Sequence, residues 1–210
     1  MSELFSIQLQ NRQQQGRDGV WLDLPTTTEQ VQAALRQIGI SSDNPQGLFI
    51  SGYFAEEEKR FAIPYNMVLA SNVDELNFLA SRLETLSTGE RAELNAALQA
   101  PQSELSSIGR ITDFPENVDY YVHLPDVHGP AQLGDYYLNR SGMVDMPEEW
   151  KGGIDTAQFG RYVAQQEQGV FTQYGYLVKS GDEWQKVHEG QPVPEEYRVL
   201  SFPVPEILRD

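Results

Sequence analysis

The sequence predicts an α+β fold built as an elongated chain of small domains, and three observations indicate it. Residues 4–9, 19–24 and 47–54 have the alternating or β-rich character of strands, whereas residues 71–100 repeat apolar side chains every three or four positions, as helices do. From residue 119 onward, strand-like and helix-like segments mix. We expect a small α+β domain over 1–62, a helical domain over 63–112, an α+β domain over 113–178 and a C-terminal β extension over 179–210.

The first region has the pattern of a β-β-α-β unit. Residues 4–9 and 19–24 predict two strands. Thr26 and Glu29 have the spacing of a capping box, in which side chains and backbone at a helix N-terminus bond reciprocally. The helix after them is predicted from a helical repeat of apolar residues, Val31, Ala34, Leu35 and Ile38. Residues 47–54 then predict a third strand.

The middle region predicts a small helical bundle. Ser71 with Asp74, and Ser87 with Glu90, have the spacing of two further capping boxes. The first of these helices carries apolar residues three or four apart, which are Val73, Leu76, Leu79, Leu83 and Leu86. A short third helical piece is expected over 104–108.

The last part of the chain mixes both patterns. Residues 119–124 predict a strand, Pro130 is suited to the first position of a helix, and Asp155 is suited to cap another. Further strands are expected at 169–179, 183–188 and 197–202, the first two joined by a turn at 180–182.

Acidity is the dominant feature of the composition. The chain has 31 Asp and Glu against 15 Lys and Arg, a formal charge of −16, and the longest acidic run is only three residues, at 56–58. A surface this negative is repelled by nucleic acid and by anionic membranes and attracts basic proteins. An acidic coat that serves only solubility is the alternative. The sequence has no cysteine, no apolar run of about 18 residues and no signal-like N-terminus. A cytoplasmic location is therefore expected.

The sequence contains no recognisable catalytic motif. It has no phosphate-binding glycine loop, no G-x-S-x-G and no H-E-x-x-H. His123 and His128 flank Asp126, but a third metal ligand at a suitable spacing is missing. Carboxylate pairs are so common in this chain that none singles out an acid and a base. We therefore expect no catalytic residues, no metal and no cofactor.

An ordered set of motifs resembles the ArdA-type antirestriction proteins. The set spans roughly residues 19–178 and consists of Gly19-x-Trp21-x-x-Leu24-Pro25, Leu76-Asn77-x-Leu79-Ala80-x-x-Leu83-x-x-Leu86, Gln132-Leu133-Gly134-Asp135-Tyr136-Tyr137, Ile154-Asp155-x-x-x-Phe159-Gly160-Arg161 and Gly169-Val170-Phe171-x-x-x-Gly175-Tyr176. Ile154 stands where the family usually has Tyr, and residues 179–210 extend beyond the family's usual end.

The resemblance implies a three-part elongated protein, commonly a homodimer, carried on mobile genetic elements. Such proteins imitate the phosphates of bent DNA and occupy the DNA groove of Type I restriction–modification enzymes, so the implied partners are methyltransferase and specificity subunits. Duplex DNA carries roughly one charge per 1.7 Å, and carboxylates on one helix face lie about 5–6 Å apart. A row of acidic side chains is therefore able to match a phosphate strand.

The carboxylates expected on this mimicking surface are Glu75, Glu84, Glu93, Asp119, Asp126, Asp135, Asp145, Glu148 and Glu149. Asp74, Glu90 and Asp155 are expected as helix caps, and Trp21, Tyr136, Phe159 and Tyr162 as core residues. Two other functions stay open: an acidic interaction module that binds a different basic protein or nuclease, and a hydrolase that uses carboxylates.

Overall fold

The α+β class is confirmed by the computed structural model, which describes residues 4–14, 16, 18–56, 60–101 and 104–205. Helix makes up 41% and strand 16%, and the strands form two separate antiparallel sheets of three. The described residues divide into two compact units. Unit 1 comprises those within Met1–Leu86, Leu105–Pro115 and Lys186–Asp210, and unit 2 those within Ser87–Glu104 and Glu116–Gln185.

Unit 1 begins with three strands, β1 (Phe5–Asn11), β2 (Val20–Leu24) and β3 (Leu48–Phe54), in the order β2-β1-β3. Alternate residues of β1 are buried, so one face of the sheet belongs to the core. Helix α1 (Thr28–Gln37) buries Val31 and Leu35. The expected strands and helix are confirmed.

The capping box of α1 is shifted by one residue from the prediction, to Thr27 and Gln30. Thr26 is buried, and its backbone N–H donates to the side-chain oxygen of Asn77 at 2.8 Å. The Thr26 hydroxyl donates to Oε1 of Gln30 at 3.0 Å, and the Thr27 side chain accepts from the Gln30 backbone N–H as the cap.

Unit 1 also contains the helices α2 (Tyr65–Leu69), α3 (Val73–Leu83) and α5 (Ile108–Thr112). The cap of α3 is Asn72 with Glu75, and the prediction of Ser71 with Asp74 is wrong. The hydroxyl of Ser71 instead donates to the Met67 carbonyl at 2.8 Å, closing the end of α2. The helical piece expected at 104–108 begins only at Ile108, because the Ser107 side chain caps it.

Unit 2 contains a sheet ordered β4-β6-β5, with β4 at Tyr121–Leu124, β5 at Val170–Thr172 and β6 at Gly175–Lys179. Helix α4 (Thr88–Gln99) contacts β4 and β6. The other helices are α6 (Pro130–Asp135), continued by a π-helical turn at Tyr136–Arg140, α7 (Glu148–Lys151) and α8 (Thr156–Glu167). The caps predicted at Ser87–Glu90 and at Asp155 are confirmed.

Helices α6 and α8 approach closely because both carry glycine at the contact. A Cβ at Gly134 would lie 1.9 Å from the Thr156 carbonyl oxygen, and one at Gly160 would lie 1.8 Å from that of Pro130. The pair covers a cluster built around Val127, Leu133 and Tyr176.

The strands predicted at 183–188 and 197–202 are wrong, and the described residues after β6 contain no strand. The hairpin lies earlier, between β5 and β6. Residues 186–205 form no strand and contain a turn at His188–Gln191 and a 3₁₀ turn at Glu195–Tyr197. Four prolines lie between 192 and 205, and proline cannot donate to a β ladder. Side chains of unit 1 bind much of this segment instead, and we call residues 186–205 the C-terminal strap.

Candidate functional site

The carboxylates divide into those that accept hydrogen bonds within their own unit and those that face solvent. The helical ones belong mostly to the first group. Glu75 accepts from the Asn72 backbone N–H at 3.3 Å, and Asp155 accepts from that of Gln158 at 2.9 Å. Glu84 is half-buried at the C-cap of α3. Helices of this protein therefore contribute few freely exposed carboxylates.

Two further acids hold the C-terminal strap. Asp113 is fully buried, and its two oxygens accept the backbone N–H groups of His188 at 2.6 Å and Glu189 at 3.2 Å. One oxygen of Asp74 accepts two consecutive N–H groups, those of Val199 and Leu200, each at 2.7 Å. Asp74 was expected as a helix cap and instead binds chain far away in sequence.

Glu167, at the end of α8, accepts the hydroxyls of Tyr137 and Tyr176, the latter at 3.0 Å. Burial, followed by the hydrogen bond to this carboxylate, raises the pKa of both tyrosines well above the usual range. Both phenols therefore stay protonated and act as donors, which ties α8 to β6 and to the π-helical turn.

Glu93 of α4 is half-buried, and its Oε1 is enclosed without a hydrogen-bond partner among the described residues. Burial, then the nearby charges of Glu90 and Asp119, raise its pKa to about 8. The carboxyl group is thus mostly protonated at neutral pH. Glu93 therefore adds little negative charge to the predicted surface.

The remaining predicted residues lie on loops of unit 2, at the end of α6 and on the short helix α7. Asp135 is half-exposed and accepts from the Asn139 amide at 2.8 Å, with the Arg140 guanidinium at 3.5 Å. Glu148 pairs with Lys151 at 2.9 Å. The others are exposed and form no ion pair within the ranges that the structure describes: Asp119, Asp126, Asp145 and Glu149.

Unit 2 carries the greater share of the net charge. Its segments contain 14 Asp and Glu against five Lys and Arg, a formal charge of −9 out of −16. Three of its five cations bind its own acids: Arg140, Lys151 and Lys179, the last with Glu104 at 2.9 Å. Each of these pairs cancels one positive and one negative charge, so the formal charge of unit 2 stays at −9. Two of its exposed acids, Asp182 and Glu183, lie outside the predicted surface.

Two aromatic residues expected in the core lie on the surface. Trp21 is 49% exposed and Tyr162 60% exposed. In β2 the buried positions are Leu22 and Leu24, so alternation places Trp21 on the opposite face. The alternation of apolar residues in β2 therefore indicates from the sequence that Trp21 is exposed. The prediction of a core position followed the general tendency of tryptophan to be buried.

The described ranges contain no group of three potential metal ligands. Nε2 of His123 lies 2.7 Å from the Tyr174 carbonyl oxygen, so this nitrogen donates a hydrogen bond within the unit. None of the helices in the described ranges has the length and apolar character needed to cross a membrane.

Two small antiparallel sheets, short helices and a surplus of exposed carboxylates define an acidic α+β protein whose exposed surface is negatively charged. The chain belongs to the antirestriction protein (ArdA) family, whose model matches residues 15–178. Membership implies an antirestriction function and interaction with restriction–modification enzymes. No curated protein matches the chain. The C-terminal strap lies beyond the matched residues.

Proposed function

We propose that this protein inhibits Type I restriction–modification enzymes by placing its carboxylates where the enzyme binds DNA phosphates. The observation that carries the proposal is a set of exposed carboxylates of unit 2 without ion pairs among the described residues, which includes Asp119, Asp126, Asp145 and Glu149. An enzyme groove lined by Lys and Arg attracts such a surface and DNA alike, so the two compete. No catalytic step is required.

A gel-shift competition tests the proposal. Labelled target DNA is bound to a purified Type I core of methyltransferase and specificity subunits, and this protein is added in increasing amounts. Displacement of DNA, weakening steeply as salt is raised, is the expected result, because charge pairing is screened. An unchanged shift at every concentration would contradict the proposal and favour an acidic module for another basic partner.

We also propose that the protein acts as a homodimer, as the family resemblance implies. Unit 2 exposes Met143 at 74% and Trp150 at 66%, and exposed apolar groups of this size are typical of protein contacts. Light scattering after size-exclusion chromatography should give twice the chain mass of 23.7 kDa. Replacement of Trp150 by Asp should shift the mass toward the monomer, and a wild-type monomer at all concentrations would contradict dimerisation.

A further inference from the structure

The outer face of the sheet in unit 1 exposes two aromatic rings side by side. Trp21 on β2 is 49% exposed and Phe54 on β3 is 54% exposed, and their centroids lie 6.4 Å apart in an edge-to-face arrangement. They belong to the two strands that flank β1. Large exposed apolar groups that touch one another are a stronger sign of a binding surface than isolated ones.

Gly52 is what allows the two rings to meet. A Cβ at this position would lie 3.0 Å from Cη2 of Trp21 and 3.0 Å from Cβ of Gln8. Gln8 on the central strand pairs with Trp21 on one side and with Gly52 on the other. The missing side chain therefore leaves room for the indole to lie across β1 toward Phe54.

A hollow of about 230 Å³ borders Phe54, and acidic groups line it. Ser6 pairs with Asp23 on one side and with Phe54 on the other, so all three project from the same face. The Ser6 hydroxyl donates to Oδ1 of Asp23 at 2.6 Å, which orients the carboxylate and leaves its other oxygen for a second donor. Glu56 also lines the hollow.

The same sheet face already holds a cation against an aromatic ring. The guanidinium carbon of Arg12 lies 5.2 Å from the centroid of Phe49, whose strand partner is Gln10. Gln10 and Gln8 point to the same side of β1, because they are two residues apart. A guanidinium over an aromatic ring is thus a contact that this face accommodates.

We propose that the hollow beside Phe54 receives an arginine side chain of the basic partner. Its guanidinium would pair with Asp23 and stack on the Trp21–Phe54 pair, since a planar cation of this kind binds carboxylates and aromatic faces together. The inference rests on the proposed function in that the partner is a basic protein. It adds a localised anchor in unit 1 to the dispersed charge of unit 2.

A peptide titration tests the anchor without any restriction enzyme. In ¹⁵N-labelled protein, the indole N–H signal of Trp21 is assigned by its loss in Trp21→Ala, and tetra-arginine is then added. The Trp21 signal should shift saturably in the wild type and several-fold less in Asp23→Asn. Asp43→Asn removes one exposed charge elsewhere in unit 1 and should behave as wild type. Equal shifts in both variants would overturn the proposal.

The competition assay tests the same anchor in the complex. Trp21→Ala should raise the concentration that displaces DNA by about tenfold or more, the effect expected of an aromatic hot spot. Tyr162→Ala removes an aromatic ring that is also well exposed but lies in unit 2. This variant should change the concentration that displaces DNA by less than about twofold. Circular dichroism should show that both variants remain folded.

The two proposals fail in different ways. If the wild type displaces DNA but Trp21→Ala and Tyr162→Ala are equally active, the anchor is wrong and competition with DNA stands. If the wild type never displaces DNA while the Trp21 signal still responds to tetra-arginine through Asp23, the Type I target is wrong and the arginine site stands.

Discussion

At the scale of single residues, the same carboxyl group serves different purposes in this protein according to what surrounds it. Asp113 is buried and binds backbone N–H groups, whereas Asp119 is exposed. Glu93 lies between these extremes, because it is half-buried beside two other acids and has a pKa of about 8. Formal charge therefore overstates the charge that the protein can offer to a partner.

The raised pKa of Glu93 predicts a pH-dependent stability. The unfolded chain loses this proton near its ordinary pKa of 4.5, while the folded protein keeps it until about pH 8. The folded state thus binds more protons between these limits, and the free energy of unfolding falls as pH rises through them. In Glu93→Gln the fall should be smaller, as measured by urea denaturation at stepped pH. Glu149→Gln, which alters an exposed carboxylate, should follow the wild type; equal slopes in all three would contradict the prediction.

At the scale of elements, close backbone approaches and the C-terminal strap organise the two units. Helices α6 and α8 meet at two glycines, so the space between them depends on the absence of side chains. The strap of residues 186–205 has no ladder partner among the described strands, and Asp113 and Asp74 supply acceptors for its backbone. Each arrangement gives a stability prediction.

Replacing Gly160 by Ala should destabilise unit 2, because the new methyl group would overlap the backbone of Pro130. We expect a loss of about 2 kcal/mol in the free energy of unfolding, in the range of overpacked cores. Gly89→Ala in α4 is the matched control, since nothing lies within 4 Å of its Cβ position. It should be neutral or stabilising by up to about 1 kcal/mol, because alanine favours helix. In thermal unfolding, the midpoint temperature should fall in Gly160→Ala and stay unchanged or rise in Gly89→Ala. An equal midpoint in both variants would contradict the prediction.

Replacing Asp113 by Ala should release the strap at its first anchor, since the N–H groups of His188 and Glu189 lose their acceptors. A loss of about 1–3 kcal/mol is expected, together with faster hydrogen exchange in the strap. Asp43→Ala, at an exposed position, should change the stability by less than about 0.5 kcal/mol. Unchanged exchange in Asp113→Ala would show that the strap does not depend on this carboxylate.

At the scale of the whole molecule, charge is unevenly divided between the units. Unit 2 carries −9 of the −16, and Asp119, Asp126 and Asp145 lie on loops and turns, with Glu149 on the four-residue helix α7, so they form no row along one helix. A surface of this kind spreads binding energy over many weak contacts, because an exposed ion pair contributes only about 0–1 kcal/mol. Under the proposed function, no single exposed acid of unit 2 should be essential.

Neutralising four acids together tests this distribution. Changing Asp119, Asp126, Asp145 and Glu149 to their amides should weaken competition with DNA by about tenfold or more and flatten its salt dependence, while each single change costs about threefold or less. The matched control neutralises four exposed acids of unit 1: Asp18, Asp43, Glu195 and Glu196. Both variants lose four charges, so a larger effect of the first set would locate the interaction. Equal effects would indicate that only net charge matters.

The sequence by itself was sufficient for the α+β class, for the three strands of unit 1, for the caps at Ser87 and Asp155 and for family membership. These features depend on local patterns, since alternation follows the pleat of a strand and a cap follows from residues three apart. The exposure of Trp21 was also readable from the alternation in β2. The strands and the helix within residues 4–54 could therefore be predicted without knowledge of distant contacts, whereas the strands predicted at 183–188 and 197–202 are wrong.

The tertiary structure alone decided which acids are free. Asp74 and Asp113 resemble any other acid in the sequence, and only the return of the strap brings backbone donors to them. The caps of α1 and α3 also lie one residue later than predicted, with Thr26 bound to Asn77 and Ser71 to Met67. The physical reason is that burial and hydrogen bonding depend on residues far away in the chain, whereas helix and strand patterns depend on near neighbours.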